Sequence, residues 1–311
     1  MSILIDENTR VVVQGITGNQ GRYDTRLALD YGVKIVAGVT PGRGGEEVEG
    51  IPVFDTVGKA VAETGANAAV LYVPVAGIRD AVTEAAEARI GVILATTENV
   101  PKHDAICAVA AARRAGAWLV GFNTNGVISP GKCKLGGIGG DDPDALYPAG
   151  RIGVVSRSGG MSAEISMAIK AAGRGVSTAV SMGGDRTTGR SMCEYLELFE
   201  ADDETDAMVI YGEPGTGNEA EVAAALRAGR LRKPVIAIVA GRFQENHPRG
   251  VSFGHVAAMI GNDADSASAK IRLLRESGAE IAHCLDEIGA ALDRRLRTDR
   301  SPGSPPDRQT A

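Results

Sequence analysis

Three features in the second half of the chain have the residue types needed to move a phosphoryl group: the Ser158-Gly159-Gly160 turn, Glu213 and His255. The turn follows the short apolar run 152–155. Glu213 follows the run ending at Gly212, and His255 lies in the long Gly-containing loop after Ala240. An imidazole is a nucleophile, and a carboxylate beside it orients it. A helix start presents unpaired N–H groups and the positive end of the helix dipole to a phosphate. Taken singly, each feature has a plainer reading: an ordinary β–α turn, a solvated carboxylate, a surface histidine. The coincidence of the three carries the phosphoryl-transfer reading. His103, His247, His255 and His283 show no metal-ligand spacing, so no metal is expected. No G-x-x-x-x-G-K-[ST] occurs, so a nucleotide that phosphorylates His255 must sit on another polypeptide.

For these groups to meet, their strands must be parallel neighbours, because a parallel sheet gathers its strand ends at one edge. The second half alternates accordingly, with strands expected at 152–155, 176–181, 207–212, 234–240 and 279–282. Helices are expected at 161–172, 190–199, 217–229, 264–277 and 285–296, the first with Ser162 as N-cap. This is a flavodoxin-like pattern.

The first half has its own strand–turn–helix. The strand 10–14 runs into Gly15-Ile-Thr-Gly-Asn-Gln-Gly21, a G-x-x-G-x-x-G variant of the dinucleotide-type turn, and then into a helix reaching about Tyr31. The next strand, 34–39, ends in Thr40-Pro-Gly-Arg-Gly-Gly45. An acidic residue that would bind a ribose is missing there, and the cation Arg43 stands close by, which favours NADP or coenzyme A over NAD. Strands at 68–73, 91–95 and 118–121 alternate with helices at 78–88 and 103–115, and Thr96-Thr-Glu-Asn-Val-Pro101 follows one strand end. The fold class is therefore α/β: two parallel, doubly wound sheets, Rossmann-type over 1–122 and flavodoxin-like over 151–297. Residues 123–150 break the period and read as linker and interdomain cleft. Within them Asn123-Thr-Asn-Gly126 reads equally as a polar-substrate contact or a structural turn. Residues 298–311, rich in Pro, Ser, Asp and Arg, read as a disordered tail.

Composition narrows the partners. At a net charge of −6 nothing is basic enough to suggest a nucleic-acid surface, and no apolar run is long enough to span a bilayer. With 41 glycines and only 4% aromatic residues, the chain suits tight β–α turns around small ligands. The N-terminus shows no secretion signal, and four scattered cysteines without C-x-x-C read as reduced thiols of a cytoplasmic protein.

Several motifs together carry a resemblance: Gln14-Gly-Ile-Thr-Gly-Asn-Gln-Gly21, Gly38-Val-Thr-Pro-Gly-Arg-Gly-Gly45, Gly50-Ile-Pro-Val-Phe54, Tyr72-Val-Pro74, Ser156-Arg-Ser-Gly159, Gly183-Gly-Asp185, Gly212-Glu213 and Gly254-His255. On these the chain resembles the succinyl-CoA synthetase α-subunit family along almost its whole length. The resemblance implies a CoA-binding domain followed by a ligase domain. It implies that His255, contacted by Glu213, carries a phosphoryl group between a nucleotide and an acid. Thr17, Gly18, Asn19, Gln20, Arg43, Thr96, Thr97 and Glu98 would fall in the CoA site. ATP or GTP with Mg2+ would be bound by an ATP-grasp β subunit in an αβ or α2β2 complex.

Departures from the family pattern concern the acid. Ala163 stands where succinyl-CoA synthetases carry a Tyr, and Gly121-Phe-Asn-Thr-Asn-Gly126 replaces Gly-Pro-Asn-Cys-Pro-Gly. Ser156-Arg-Ser-Gly-Gly-Met-Ser162, Gly183-Gly-Asp-Arg186 and Phe253-Gly-His255 look like segments of ATP-citrate lyase and citryl-CoA synthetase. The expected substrate residues are Asn123, Asn125, Ala163 and Arg186, with succinate as the family acid and citrate or a related acid as the alternative. The reading from another class is a non-catalytic CoA-binding regulatory protein.

Overall fold

Nearly every position of the parallel strands is buried, as helices covering both faces of a sheet require. Four of five residues are buried in Arg10–Gln14, and all of them in Val176–Ser181, Ala207–Gly212 and Val235–Val239. In the computed structural model the described residues are 2–298 without Ser252 and Val256, excepting the side chains of 297 and 298. The expected tail therefore lies outside them, apart from Thr298, which ends the last helix.

The first half runs β1 (Arg10–Gln14), α1 (Asn19–Asp30), β2 (Lys34–Val39), β3 (Glu47–Val48), β4 (Ile51–Phe54), α2 (Val57–Thr64), β5 (Ala68–Leu71), α3 (Ile78–Glu87), β6 (Val92–Ala95), α4 (Lys102–Arg114) and β7 (Trp118–Gly121). Its sheet has the order β3-β4-β2-β1-β5-β6-β7 and is parallel except at the β3–β4 hairpin. The order reverses between β1 and β5, which opens a crevice at their carboxyl ends. The hairpin and α2 had no counterpart in the sequence reading. They are short, and α2 is defined by its caps: Thr56 accepts the Lys59 N–H at the start, and Gly65 closes the end at φ 66°.

The chain continues through β8 (Val127–Ser129), β9 (Cys133–Leu135), α5 (Pro143–Leu146), β10 (Ala149–Ser156), α6 (Gly159–Ala171), β11 (Val176–Ser181), α7 (Met192–Ala201), β12 (Ala207–Gly212), α8 (Asn218–Arg227), β13 (Val235–Val239), α9 (Ala267–Glu276), β14 (Glu280–Ile281) and α10 (Glu287–Thr298). The second sheet has the order β14-β13-β12-β10-β11-β8-β9. Its core is parallel, while β8 pairs antiparallel with β11 and β9 with β8. Residues 123–150, read as linker and cleft, thus supply two edge strands of this sheet. Both strands are three residues long and fully buried, too short to show a period among their glycine turns.

The edge strand β7 and helix α4 of the first half are locked to α7 and the loop before it. Trp118 packs on Tyr195 at 5.6 Å, and the Arg190 guanidinium lies 4.5 Å above the Trp118 ring. Arg113 forms a bidentate pair with Glu194 at 2.8 and 3.1 Å. The Gly189 N–H donates to the Gly121 carbonyl at 2.8 Å. A Cβ on Gly189 would sit 2.0 Å from the Leu119 carbonyl oxygen, so only glycine permits this approach. Gly189→Ala should destabilise the chain by about 3 kcal/mol through overpacking against backbone. Denaturant unfolding reads this out, and a loss below about 0.5 kcal/mol would show that the contact is dispensable.

Candidate functional site

The ligase-like edge is built from the ends of four adjacent strands, β13, β12, β10 and β11. After β10, Ser158 caps α6, accepting the Met161 N–H at 3.4 Å. Ser162, the expected cap, lies one turn inside. It is buried, donates to the Gly159 carbonyl at 2.6 Å and pairs with the Tyr147 hydroxyl at 2.9 Å. Gly159 and Gly160 belong to the first helical turn, whose N–H groups have no partner within the helix. Neither glycine has positive φ. Gly159 is required by crowding, since a Cβ there would lie 2.7 Å from the Asn125 side chain. At Gly160 the space is open.

Glu213, after β12, is 6% exposed. Its two carboxylate oxygens stand 3.0 and 2.9 Å from Nδ1 of His255. A carboxylate only accepts, so this geometry assigns the proton to Nδ1 of the neutral ring. The ring lies against the Gly184 backbone after β11, where a Cβ would come within 2.6 Å of Cδ2 and 2.8 Å of Nε2. Burial works against the charge on Glu213. The hydrogen bond from His255 and the Arg157 guanidinium outweigh it and hold the carboxyl below its ordinary value of 4.5.

Arg157 carries no role in the reading of the Ser156-Arg-Ser-Gly159 motif, yet it is the hub of this edge. It is 1% exposed and donates to Glu213 Oε1 at 3.2 Å. Its Nη2 donates to the carbonyls of Gly184 at 3.2 Å and Asp185 at 3.1 Å. The available signal was a cation inside a strand-to-helix turn whose own conformation does not need one.

The other edge gathers the residues expected around CoA. The loops after β1 and β2 are tied by the hydroxyls of Thr17 and Thr40 at 3.2 Å. Thr96 and Thr97 donate to the carbonyls of Leu71 and Val73, each at 2.9 Å, and hold the loop after β6 to that after β5. Gly18 is the N-cap of α1 without a side-chain cap, and Gly18, Asn19, Gln20 and Glu98 are exposed. Gln20 donates to Asp24 at 2.9 Å. Gly15 holds φ 80° and would clash with the Tyr72 carbonyl if it bore a Cβ. Arg43 does not stand alone as the sequence suggested. Glu46 grips its guanidinium, with Nη2 to Oε2 at 2.6 Å, so a phosphate there competes with that carboxylate.

Of the expected substrate residues, Asn123 lies beside Asp185, the neighbour of Arg186, and Asn125 lies against the start of α6, the helix that carries Ala163. Asn123 is committed to structure: its amide donates to Asp185 at 3.3 Å, its N–H to Thr97 at 3.0 Å, and its carbonyl accepts from Gly184 at 3.0 Å. It therefore ties the two edges together. Asn125 packs beneath Gly159, and its Oδ1 is buried without a hydrogen-bond partner among the described residues. Ala163 is half-buried against the second domain's core. Arg186 is exposed and has no ion-pair partner among the described residues. It lines a cavity of about 640 Å³ shared with Arg113, Arg157 and Arg190, and a second of about 290 Å³ beside Asn99 and Asp185. Among the described residues no cluster of His, Cys, Asp or Glu could hold a metal, and no helix is long and apolar enough to cross a membrane.

Comparison with known proteins finds two family models along the chain. A CoA binding domain family model matches residues 6–99, and that of the succinyl-CoA ligase like flavodoxin domain matches residues 149–292. Two α subunits of succinate–CoA ligase [ADP-forming] from Archaeoglobus fulgidus are 46% and 43% identical over 288 residues. These matches cover 93% of this chain and 97% and 96% of theirs. The α subunit from Staphylococcus aureus is 41% identical, covering 94% of each chain. The structure of Methanosaeta concilii ATP citrate lyase in complex with (3S)-citryl-CoA matches with a TM-score of 0.87 at 25% identity. That match covers 98% of this chain and 53% of the lyase, so this chain spans about half its length. An acetyl-coenzyme A synthetase from Ca. Korarchaeum cryptofilum, at 20% identity and a TM-score of 0.72 over 91% of this chain and 60% of its own, shares the fold. With both domain families matched in order and relatives of 41–46% identity covered nearly end to end, the chain belongs to the succinate–CoA ligase α-subunit family.

Proposed function

We propose that this chain is the α subunit of an NDP-forming acid–CoA ligase, acting through a phosphohistidine at His255. The observation that carries the reading is the Glu213–His255 pair, which assigns the proton to Nδ1 and the lone pair to Nε2. Nε2 attacks the γ-phosphorus of a nucleoside triphosphate, and the bond to the diphosphate oxygen breaks. The ring becomes cationic, and Glu213 stabilises that charge without a proton transfer. Phosphohistidine then passes the group to a carboxylate oxygen of the acid, the N–P bond breaking to leave the neutral ring. The CoA thiol takes the acyl group from the acyl phosphate, and its proton leaves with phosphate. The N–H groups at the start of α6 suit the travelling phosphoryl group. A β subunit of ATP-grasp type would bring ATP or GTP with Mg2+.

Coenzyme A fits the other edge. The start of the twelve-residue α1 is exposed and lacks a side-chain cap, and Arg22 donates to the Thr17 carbonyl beside it at 3.2 Å. Gly15 keeps the turn open where a side chain could not fit. Bound there, CoA would supply the thiol, while Asn123 and Asp185 hold that edge against the histidine edge.

Succinate is the family acid. Citrate or a related acid is the second reading, favoured by the exposed Arg186 at the rim of both cavities, a donor for an added carboxylate. In a panel of succinate, malate, itaconate and citrate, succinate should have the highest kcat/KM. If citrate wins and Arg186→Gln removes its advantage, the second reading replaces the first.

With its β partner and γ-labelled nucleotide, the chain should become an acid-labile, base-stable phosphoprotein, and His255→Ala should abolish the label. Label persisting in that variant overturns the assignment, and an intact complex that takes no label points to a regulatory CoA-binding protein. Calorimetry on the chain should show CoA binding that weakens with salt; tighter binding of NAD than of CoA is the contrary result. The pair also has a signature in stability. A carboxyl held below 4.5 in the folded chain contributes stability that is complete above that pH and is lost as pH falls through the folded value. Glu213→Gln should therefore cost ~3 kcal/mol at neutral pH, a deficit that shrinks in acid. A deficit that stays constant into strong acid would show that Glu213 is not held ionised by its partners.

A further inference from the structure

Behind Glu213 lies a second ion pair that the reaction does not touch. Lys270 on α9 and Glu219 on α8 are buried, with side chains 4% and 0% exposed, and meet at 2.6 Å. The three donors of Lys270 are all used: Glu219 Oε2, the Glu213 carbonyl at 2.8 Å, and the Gly215 carbonyl. The other oxygen of Glu219 accepts the N–H of Glu213 at 3.2 Å. The peptide N–H and the carbonyl of Glu213 thus both end on this pair. Gly212 makes the approach possible, because a Cβ there would lie 2.2 Å from Glu219 Oε1.

The same segment meets the exit of the histidine loop. The Gly215 N–H donates to the Asp265 carbonyl at 3.1 Å, and a Cβ on Gly215 would lie 2.1 Å from the Ala257 carbonyl. The loop that carries His255 then runs into α9 and so into Lys270. Residues 213–215 form a short platform, gripped from below by Lys270 and Glu219 and bearing the loop above.

A buried ion pair is costly to desolvate and rarely adds net stability. At a strand end, however, the ladder no longer satisfies the backbone, and an apolar pair would leave two carbonyls and an amide without partners. We infer that Lys270 and Glu219 are positioning residues for phosphoryl transfer: they fix the backbone of Glu213 so that its carboxylate holds Nδ1 of His255. This rests on the phosphohistidine reading above. Among the described residues neither Lys270 nor Glu219 is hydrogen-bonded to the ring, so their effect passes through the backbone of residues 213–215.

The test compares the αβ complexes containing the parent chain, Lys270→Met and Glu219→Gln. Lys270→Met keeps an unbranched side chain one atom shorter and without the charge, and Glu219→Gln keeps both the length and an acceptor for the Glu213 N–H. Labelling of His255 from γ-labelled nucleotide should slow by about 10- to 100-fold in Lys270→Met and by less in Glu219→Gln. CoA affinity, read at the other edge, should stay within about twofold. In the full chain labelled with 15N-histidine, the downfield proton on Nδ1 of His255 should shift or vanish in Lys270→Met, a change that loss of stability alone does not produce while the chain stays folded. If Lys270→Met does not fold, Glu219→Gln carries the same readouts. Unchanged labelling and an unchanged resonance in a folded variant overturn the proposal. If the parent complex takes no label, the phosphohistidine reading fails, and the resonance still decides whether the pair positions Glu213.

Discussion

A carboxylate buried at the end of a strand is either compensated or neutral, and at Glu213 it must be charged for the histidine beside it to keep its proton on Nδ1. That requirement organises the ligase edge. Arg157 supplies the charge, and it reaches Glu213 only because it sits in the turn between β10 and α6, on the adjacent strand. Nη2 of Arg157 closes the Gly184–Asp185 loop over the same edge. One guanidinium therefore sets the electrostatics of Glu213 and the wall on which His255 rests.

The two edges are coupled through short polar links. Asp185 accepts from Asn123 and from the Val100 N–H at 3.4 Å, so the loop that shields His255 is also bonded to the loop after β6. Around these bonds, Trp118, Tyr195 and Arg190 hold the sheets together by stacking and packing. Glycines at 183 and 189 let backbone press on backbone, and Gly184 leaves room for the His255 ring. A rigid seam of this kind would suit the proposed reaction, whose two halves, thiol and phosphohistidine, must act on one intermediate.

Periodicity showed the parallel strands clearly because they are buried and bounded by glycine, and it placed Glu213 and the Ser-Gly-Gly turn at strand ends. It could not show β8 and β9, because three buried residues between glycine turns have no period. Arg157 was visible as a letter but not as a hub, since its partners come from segments 27 to 56 positions away. The N-cap was placed four residues late because Ser162 also fits a cap. The backbone decides for Ser158, which is extended at φ −102°, ψ 130°. Lys270 and Glu219 were unreadable for another reason: on amphipathic helices a Lys and a Glu look like solvated residues, and only the fold turns them inward.

The two strand–turn–helix units look alike in sequence and differ in what their glycines do. In the first, Gly15 and Gly21 are demanded by backbone crowding, with Cβ positions 2.3 and 2.4 Å from carbonyl oxygens of Tyr72 and Gly15. In the second, Gly159 yields to a side chain, Asn125, and Gly160 yields to nothing. The first turn must therefore keep its glycines merely to fold, whatever it binds. The second has no fold-based need for Gly160. A glycine kept where the backbone does not require it leaves volume and N–H access at the mouth of a helix, which a transferred phosphoryl group or a bulky acid can occupy. Crowding thus separates glycines that build the scaffold from those that leave room for chemistry, and it points to the start of α6 as the place where that room is kept.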